Sequence, residues 1–130
     1  MSELNKQKAR MFVEAVLNEG RIELIDELVA VDYVGDIRCP EQTVIGRAEL
    51  RRLVMDHRRT YPDLYVKVED EIAENDLVVL RWRATATTPE TGATGGRSCC
   101  WTGISVIRLL AGRQVDTYTA VAPGVTGVPP

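Results

Sequence analysis

The chain reads as one α+β domain: a curved antiparallel sheet wrapped around three N-terminal helices, closing into a cone-shaped barrel with an internal pocket. Three observations predict this. Apolar residues recur at helical spacing through the first half and alternate at strand spacing through the second, a segregation that favours α+β over alternating α/β. The length of 130 residues fits one domain. The helical stripes also need a surface to cover, and a strongly bent sheet is the only large one available.

The first helix is expected from Glu3 to Asn18, with Ala9, Phe12, Val13, Val16 and Leu17 on one face and Gly20 placed for a left-handed C-terminal cap. A shorter helix follows from Arg21 to Val29, burying Leu24, Ile25, Leu28 and Val29. Asp32 to Cys39 mixes β-branched and aromatic residues around Gly35 and reads as a short strand or extended loop, broken by Pro40. The third helix spans Arg47 to Tyr61 and stops at Pro62, with Leu50, Leu53, Val54, His57 and Tyr61 on one side. Strands then follow at Tyr65–Ile72, Leu77–Thr88, Arg97–Leu109 and Gln114–Val121. Glu74-Asn75-Asp76 and Ala111-Gly112 form turns, and Pro89 to Gly96 is expected to be a loose hairpin loop. The domain is expected to cover residues 1–122, with 123–130 an irregular tail.

Composition narrows the function. Apolar residues make up 45% and charged residues 27%, a normal globular balance. The net charge of −3 argues against general nucleic-acid affinity. The one basic stretch, Arg47, Arg51, Arg52, Arg58 and Arg59, is interleaved with Glu49 and Asp56 and reads as a solvated helix face. The start, MSELNKQKAR, has no signal-peptide character, and no apolar run reaches the roughly 18 residues of a membrane span, so a cytoplasmic location is expected. Cys39, Cys99 and Cys100 are odd in number and suit neither a disulfide framework nor, with one histidine, a zinc site. No metal ligand set and no phosphate-cradling glycine loop is found, so no cofactor is implied.

Several local stretches resemble the nuclear-transport-factor-like superfamily, and within it the SnoaL-like polyketide cyclases. They are Ile45-Gly46 opening the third helix, Tyr61-Pro62-Asp63-Leu64 ending it, the run from Ile72 to Trp82, Thr102 to Arg108, and Gly112 to Asp116. The resemblance implies a cone-shaped fold, a pocket for a small apolar or polyketide-like molecule, and a homodimer formed through the sheet. It also exposes departures. The acid–base aspartate of such cyclases falls on Ala122, their histidine position falls within Ala86-Thr87-Thr88-Pro89, and the last-strand aspartate of similar epoxide hydrolases falls on Ala120.

Asp36, ten residues before Gly46, sits close to the general-base position of ketosteroid-isomerase-like relatives, and an apolar pocket would raise its pKa towards neutrality. Arg81 and Arg83 alternate with Val78, Leu80 and Trp82. Patterning alone points Trp82 inward and both arginines to water, whereas the resemblance places Arg81 inside, paired with Asp36 or Asp116. The implied site therefore has Asp36 as proton shuttle and Arg81 as charge stabiliser, with Tyr33, His57, Arg83, Trp101, Asp116 and Tyr118 around the substrate. The activity implied is a cofactor-free cyclisation or isomerisation. The alternatives are an epoxide-opening ring former or epoxide hydrolase, and a non-catalytic binding or assembly protein.

Overall fold

The computed structural model describes residues 2–38, 41–87 and 98–122. Cys39 with Pro40, the loop at 89–96 and the tail from 123 lie outside the described residues.

The first helix, α1, runs Ser2–Met11 and continues in wider, π-type turns over Phe12–Asn18. Ala9, Val13 and Val16 form its buried stripe. Its end is held by two groups. Gly20 takes φ +74°, open to glycine but unfavourable for other residues, and the Arg58 guanidinium donates to the orphan carbonyls of Leu17 and Asn18 at 2.7 and 2.9 Å. A Cβ at position 20 would sit 2.7 Å from Arg58 Nε, so the turn and its cap require glycine together.

The second helix is shorter than its apolar pattern suggests. A single 3₁₀ turn at Ile22–Leu24 leads into α2, Ile25–Leu28, and the chain is already extended at Val29. β-Branched residues at 29, 31 and 34 favour strand, and Val29 pairs with Gln114. The segment read as a short strand or loop is thus a ten-residue strand, β1, Val29–Arg38, joined by β2, Gln42–Ile45. The third helix, α3, spans Gly46–Thr60. Glu49 accepts from the Ile45 N–H at 2.8 Å, satisfying a donor at its start.

The remaining strands form a meander: β3 Tyr65–Glu74, β4 Leu77–Thr87, β5 Ser98–Leu110 and β6 Arg113–Val121. The sheet order is β2-β1-β6-β5-β4-β3. All neighbours are antiparallel except β1 and β6, which run parallel, so the sheet is mixed; it is curved but not closed. The free edge of β3 is partly covered by Asn18, whose side-chain amide both donates to Val66 O (2.9 Å) and accepts from Val66 N–H (2.7 Å), standing in for a neighbouring strand.

Two apolar clusters fill the concave side. Ala9 and Val13 pack on Val78, Leu80, Ile107 and Leu109. Val16 packs with Ile25, Leu28, Val29, Leu50 and Val54. Leu17 touches both clusters. Removing the Asn18 bridge with Asn18→Ala should destabilise the domain by about 1–3 kcal/mol, since two buried backbone groups lose their partner; urea denaturation checks this.

Candidate functional site

A cavity of about 640 Å³ lies between the concave face of the sheet, the second half of the first helix and α3. Strand alternation supplies its walls. Leu80, Trp82 and Ala84 of β4, Gly103, Ser105 and Ile107 of β5, and Thr117, Thr119 and Val121 of β6 share the inner face, and all but Gly103 line the cavity. From the helices come Phe12, Leu17, Leu50, Leu53, Val54 and His57.

Two glycines shape this wall. The Tyr33 ring lies over Gly35, where an added Cβ would come 2.7 Å from the phenol oxygen. The Trp82 indole lies over its cross-strand partner Gly103, where a Cβ would collide with the ring and sit 2.8 Å from Ala120 O. Each glycine thus lets a large ring lie flat against the sheet and leaves the volume above it open.

The polar groups are few. Trp82 Nε1–H donates to Ser105 Oγ at 3.1 Å, and Ser105 shares a 2.8 Å hydrogen bond with Thr119. Tyr33 is only 5% exposed. Burial pushes its phenol pKa up, against the opposing effect of hydrogen bonding by Thr117, so it stays a neutral donor. Gln114 is 3% exposed, and its amide oxygen accepts from the Thr117 hydroxyl at 3.4 Å. Gln114 reaches the inner face because Val115 is bulged out of the ladder: Leu109 pairs with Gln114 and Arg108 with Asp116. Plain alternation from Thr117 and Thr119 would point Gln114 outward, so only the bulge makes it a pocket residue, one absent from those expected from the sequence.

His57 lies one turn from the end of α3. Solvent reaches it, yet the protein around it disfavours the imidazolium, and desolvation lowers its pKa despite a smaller opposing pull from Asp56. Tyr61 stacks obliquely on Trp101, centroids 5.6 Å apart, and its pKa is raised by desolvation and then by Cys99.

Of the residues expected at the site, Tyr33, His57 and Trp101 line the cavity together. Asp36 borders it by position, but its carboxylate does not point in. Tyr33, Gly35 and Ile37 take the inner face, so Asp36, three residues after Tyr33, shares the outer face with Val34 and Arg38. There it is 37% exposed and paired with Arg38 at 3.1 Å. Its neighbour on β6 is Tyr118, 45% exposed, whose ring lies under the Arg38 guanidinium at 5.8 Å.

The inward orientation expected for Arg81 is likewise corrected. Arg81 is 54% exposed and donates from Nε to Asp70 at 2.6 Å, with Glu69 also in reach. Arg83 joins Glu69 at 3.2 Å on the same outer face. Asp116 pairs outside with Arg108 at 3.4 Å, not with Arg81. The physical reason is the pleat: Leu80 and Trp82 occupy the inner face, so residues 81 and 83 cannot. Among the described residues that line the cavity, no carboxylate is directed into it, and no group of three or more potential metal ligands is assembled among the described residues. No helix among them is long and apolar enough to cross a membrane.

A cone of helices on a curved sheet, around an apolar cavity with a few fixed polar groups, has the nuclear-transport-factor-like fold. Within that class the chain belongs to the SnoaL-like domain family, whose pattern matches residues 9–117. Among solved structures, it is similar to a candidate SnoaL-like polyketide cyclase from Jannaschia sp. CCS1, at 17% identity and a TM-score of 0.81 over 99% of this chain and 95% of that one. It is also similar to IdmH, a candidate polyketide cyclase from Streptomyces antibioticus, at 25% identity and a TM-score of 0.78 over 90% and 91% of the two chains. A candidate ketosteroid isomerase from Kribbella flavida matches at 17% identity and a TM-score of 0.75 over 99% and 84%. No curated protein matches the chain in sequence.

Gly103→Ala should push the indole off the wall and lower stability by about 1–3 kcal/mol, the usual cost of overpacking, with a changed near-UV circular dichroism band. Asp36→Asn should leave the affinity of the cavity for a planar ketone within about twofold, since an exposed charge outside the sheet is screened from it; a titration of tryptophan fluorescence reads this directly.

Proposed function

We propose that the protein is a cyclase or isomerase acting on a polyketide-like ketone by proton transfer in the apolar cavity, with His57 as the base. The observation that carries this reading is the position and state of His57. It is the sole histidine of the chain, it lines the cavity, and desolvation holds it in the neutral, proton-accepting form. The SnoaL-like family and the relatives named as polyketide cyclases and a ketosteroid isomerase support the same class of chemistry.

In this reading His57 removes a proton from the carbon next to a substrate carbonyl. The electron pair moves into the enolate, whose oxygen is stabilised by neutral hydroxyl donors on the wall. In a cyclisation the enolate carbon attacks a second carbonyl of the same chain, forming a carbon–carbon bond, and the imidazolium returns its proton to the new alkoxide. In an isomerisation the proton returns to a different carbon. Apolar walls favour both, because they exclude water and strengthen every hydrogen bond to the developing charge. The chemistry requires no cofactor.

A second reading, a binding protein without catalysis, is favoured by one observation: Ala120 and Ala122 stand where related enzymes carry acids, and the carboxylate bordering the cavity, Asp36, is turned away to Arg38.

Deuterium exchange at the α-carbon of polycyclic β-diketones, followed by NMR, separates the two. The wild-type protein should catalyse exchange, and His57→Gln should slow it by about 100-fold or more while ligand affinity changes little. Binding without exchange by the wild-type protein would establish the second reading. The exchange rate should rise with pH through a value below the ordinary histidine pKa of 6.5 and level off above it. Stability should follow the same group. The folded state resists protonating His57, so the unfolded state binds more protons just below pH 6.5, and stability falls as the pH is lowered through that window. His57→Gln should flatten that part of a plot of melting temperature against pH.

A further inference from the structure

The hydrogen bonds on the cavity wall form a chain whose first link has a fixed direction. An indole N–H can only donate, so Ser105 Oγ accepts from Trp82 at 3.1 Å. Ser105 and Thr119 then share one hydrogen bond at 2.8 Å. Of the three donor protons of Trp82, Ser105 and Thr119, two enter the internal bonds and one hydroxyl proton is left over. Both hydroxyl residues line the cavity. The arrangement in which each bond polarises the next runs from Trp82 through Ser105 to Thr119, leaving the Thr119 O–H to face the cavity.

We infer that Thr119, oriented through Ser105 by Trp82, is the specificity-determining donor that binds a carbonyl oxygen on a planar, ring-bearing ligand. The planar requirement comes from the wall itself. Gly103 lets the indole lie flat against the sheet beside these hydroxyls, and Trp101 faces the same cavity. The surroundings are Leu80, Ile107 and Val121, which make no polar contact and reward ring surface. This assignment rests on the proposed pocket chemistry only in needing a planar ligand; it does not need His57 to act as a base.

The two tryptophans of the chain, Trp82 and Trp101, both line the cavity, so their fluorescence reports occupancy directly. The probes are 9-fluorenone and fluorene, which have the same ring system with and without the carbonyl oxygen. The wild-type protein should bind fluorenone about five- to tenfold more tightly than fluorene, the range expected for one net hydrogen bond. Thr119→Val should reduce that ratio to near unity with fluorene affinity unchanged, and Thr119→Ser, which keeps the hydroxyl, should restore it. Equal binding of the two probes by the wild-type protein would overturn the inference, as would a preference that survives Thr119→Val. Should Thr119→Val lose fluorene binding as well, the Thr119→Ser ratio decides: retained preference supports the hydroxyl, and loss of preference overturns it. Quenching by neither probe would overturn the planar-ligand reading of the cavity and this assignment with it.

Discussion

The cavity depends on two rings lying against bare backbone. Trp82 over Gly103 and Tyr33 over Gly35 occupy the inner face of the sheet as slabs, and neither glycine could carry even a methyl group without moving its ring. Were the rings to stand upright, they would fill the space that α3 now roofs. The rest of the site follows from this. A flat indole brings its N–H within reach of Ser105, and a flat phenol brings Tyr33 beside Thr117. The polar groups of the pocket are therefore held by the same contacts that keep the pocket open.

The two sides of the sheet divide the chemistry cleanly. The outer face carries the charges, joined into pairs: across strands Arg81 and Arg83 with Glu69 and Asp70 and Arg108 with Asp116, within β1 Arg38 with Asp36, and at the β3–β4 turn Arg108 with Asp76. In water such pairs add little stability each but keep exposed strands solvated. The inner face of the sheet carries neutral donors, and α3 adds the His57 imidazole and, already bonded to the Leu17 and Asn18 carbonyls, the Arg58 guanidinium. A charged group there would need a partner, because an isolated buried charge is strongly disfavoured, and none of the pairs crosses the sheet. The protein thus offers a ligand neutral hydrogen bonds in an apolar room, the conditions under which an enolate or ketone oxygen is recognised best.

Rigidity is distributed to suit this. Arg58 joins α3 to the end of the first helix, Asn18 joins that helix end to β3, and Asp63 joins the segment after α3 to Thr87 on β4. The three ties surround the end of the cone where His57 and Tyr61 sit. The Asp63 carboxyl is held below its ordinary pKa by its bonds to Thr87.

Helical spacing from Ala9 to Leu17, the stop at Tyr61-Pro62 and the alternation of Val66, Val78, Leu80 and Ile107 depend only on near neighbours in the chain, so the helices, the meander and the α+β class were legible in the sequence. His57 could be assigned to the cavity side for the same reason, since it lies on the apolar face of α3, whereas Tyr33 and Trp101 were reached only through the family resemblance. What the sequence alone could not decide was parity and register. Asp36 and Arg81 were assigned inward by resemblance and lie outward, because the side of a strand that a residue takes is set by which neighbours the helices bury. Gln114 lies inward only because Val115 bulges where β5 and β6 fall out of step. The parallel pairing of β1 with β6 joins residues some 80 positions apart in the chain, and a one-residue slip there would exchange the two faces. Sequence determined which residues could form a pocket, since burial follows local pattern; tertiary structure decided which of them face it, since that depends on strand registers formed across the whole chain.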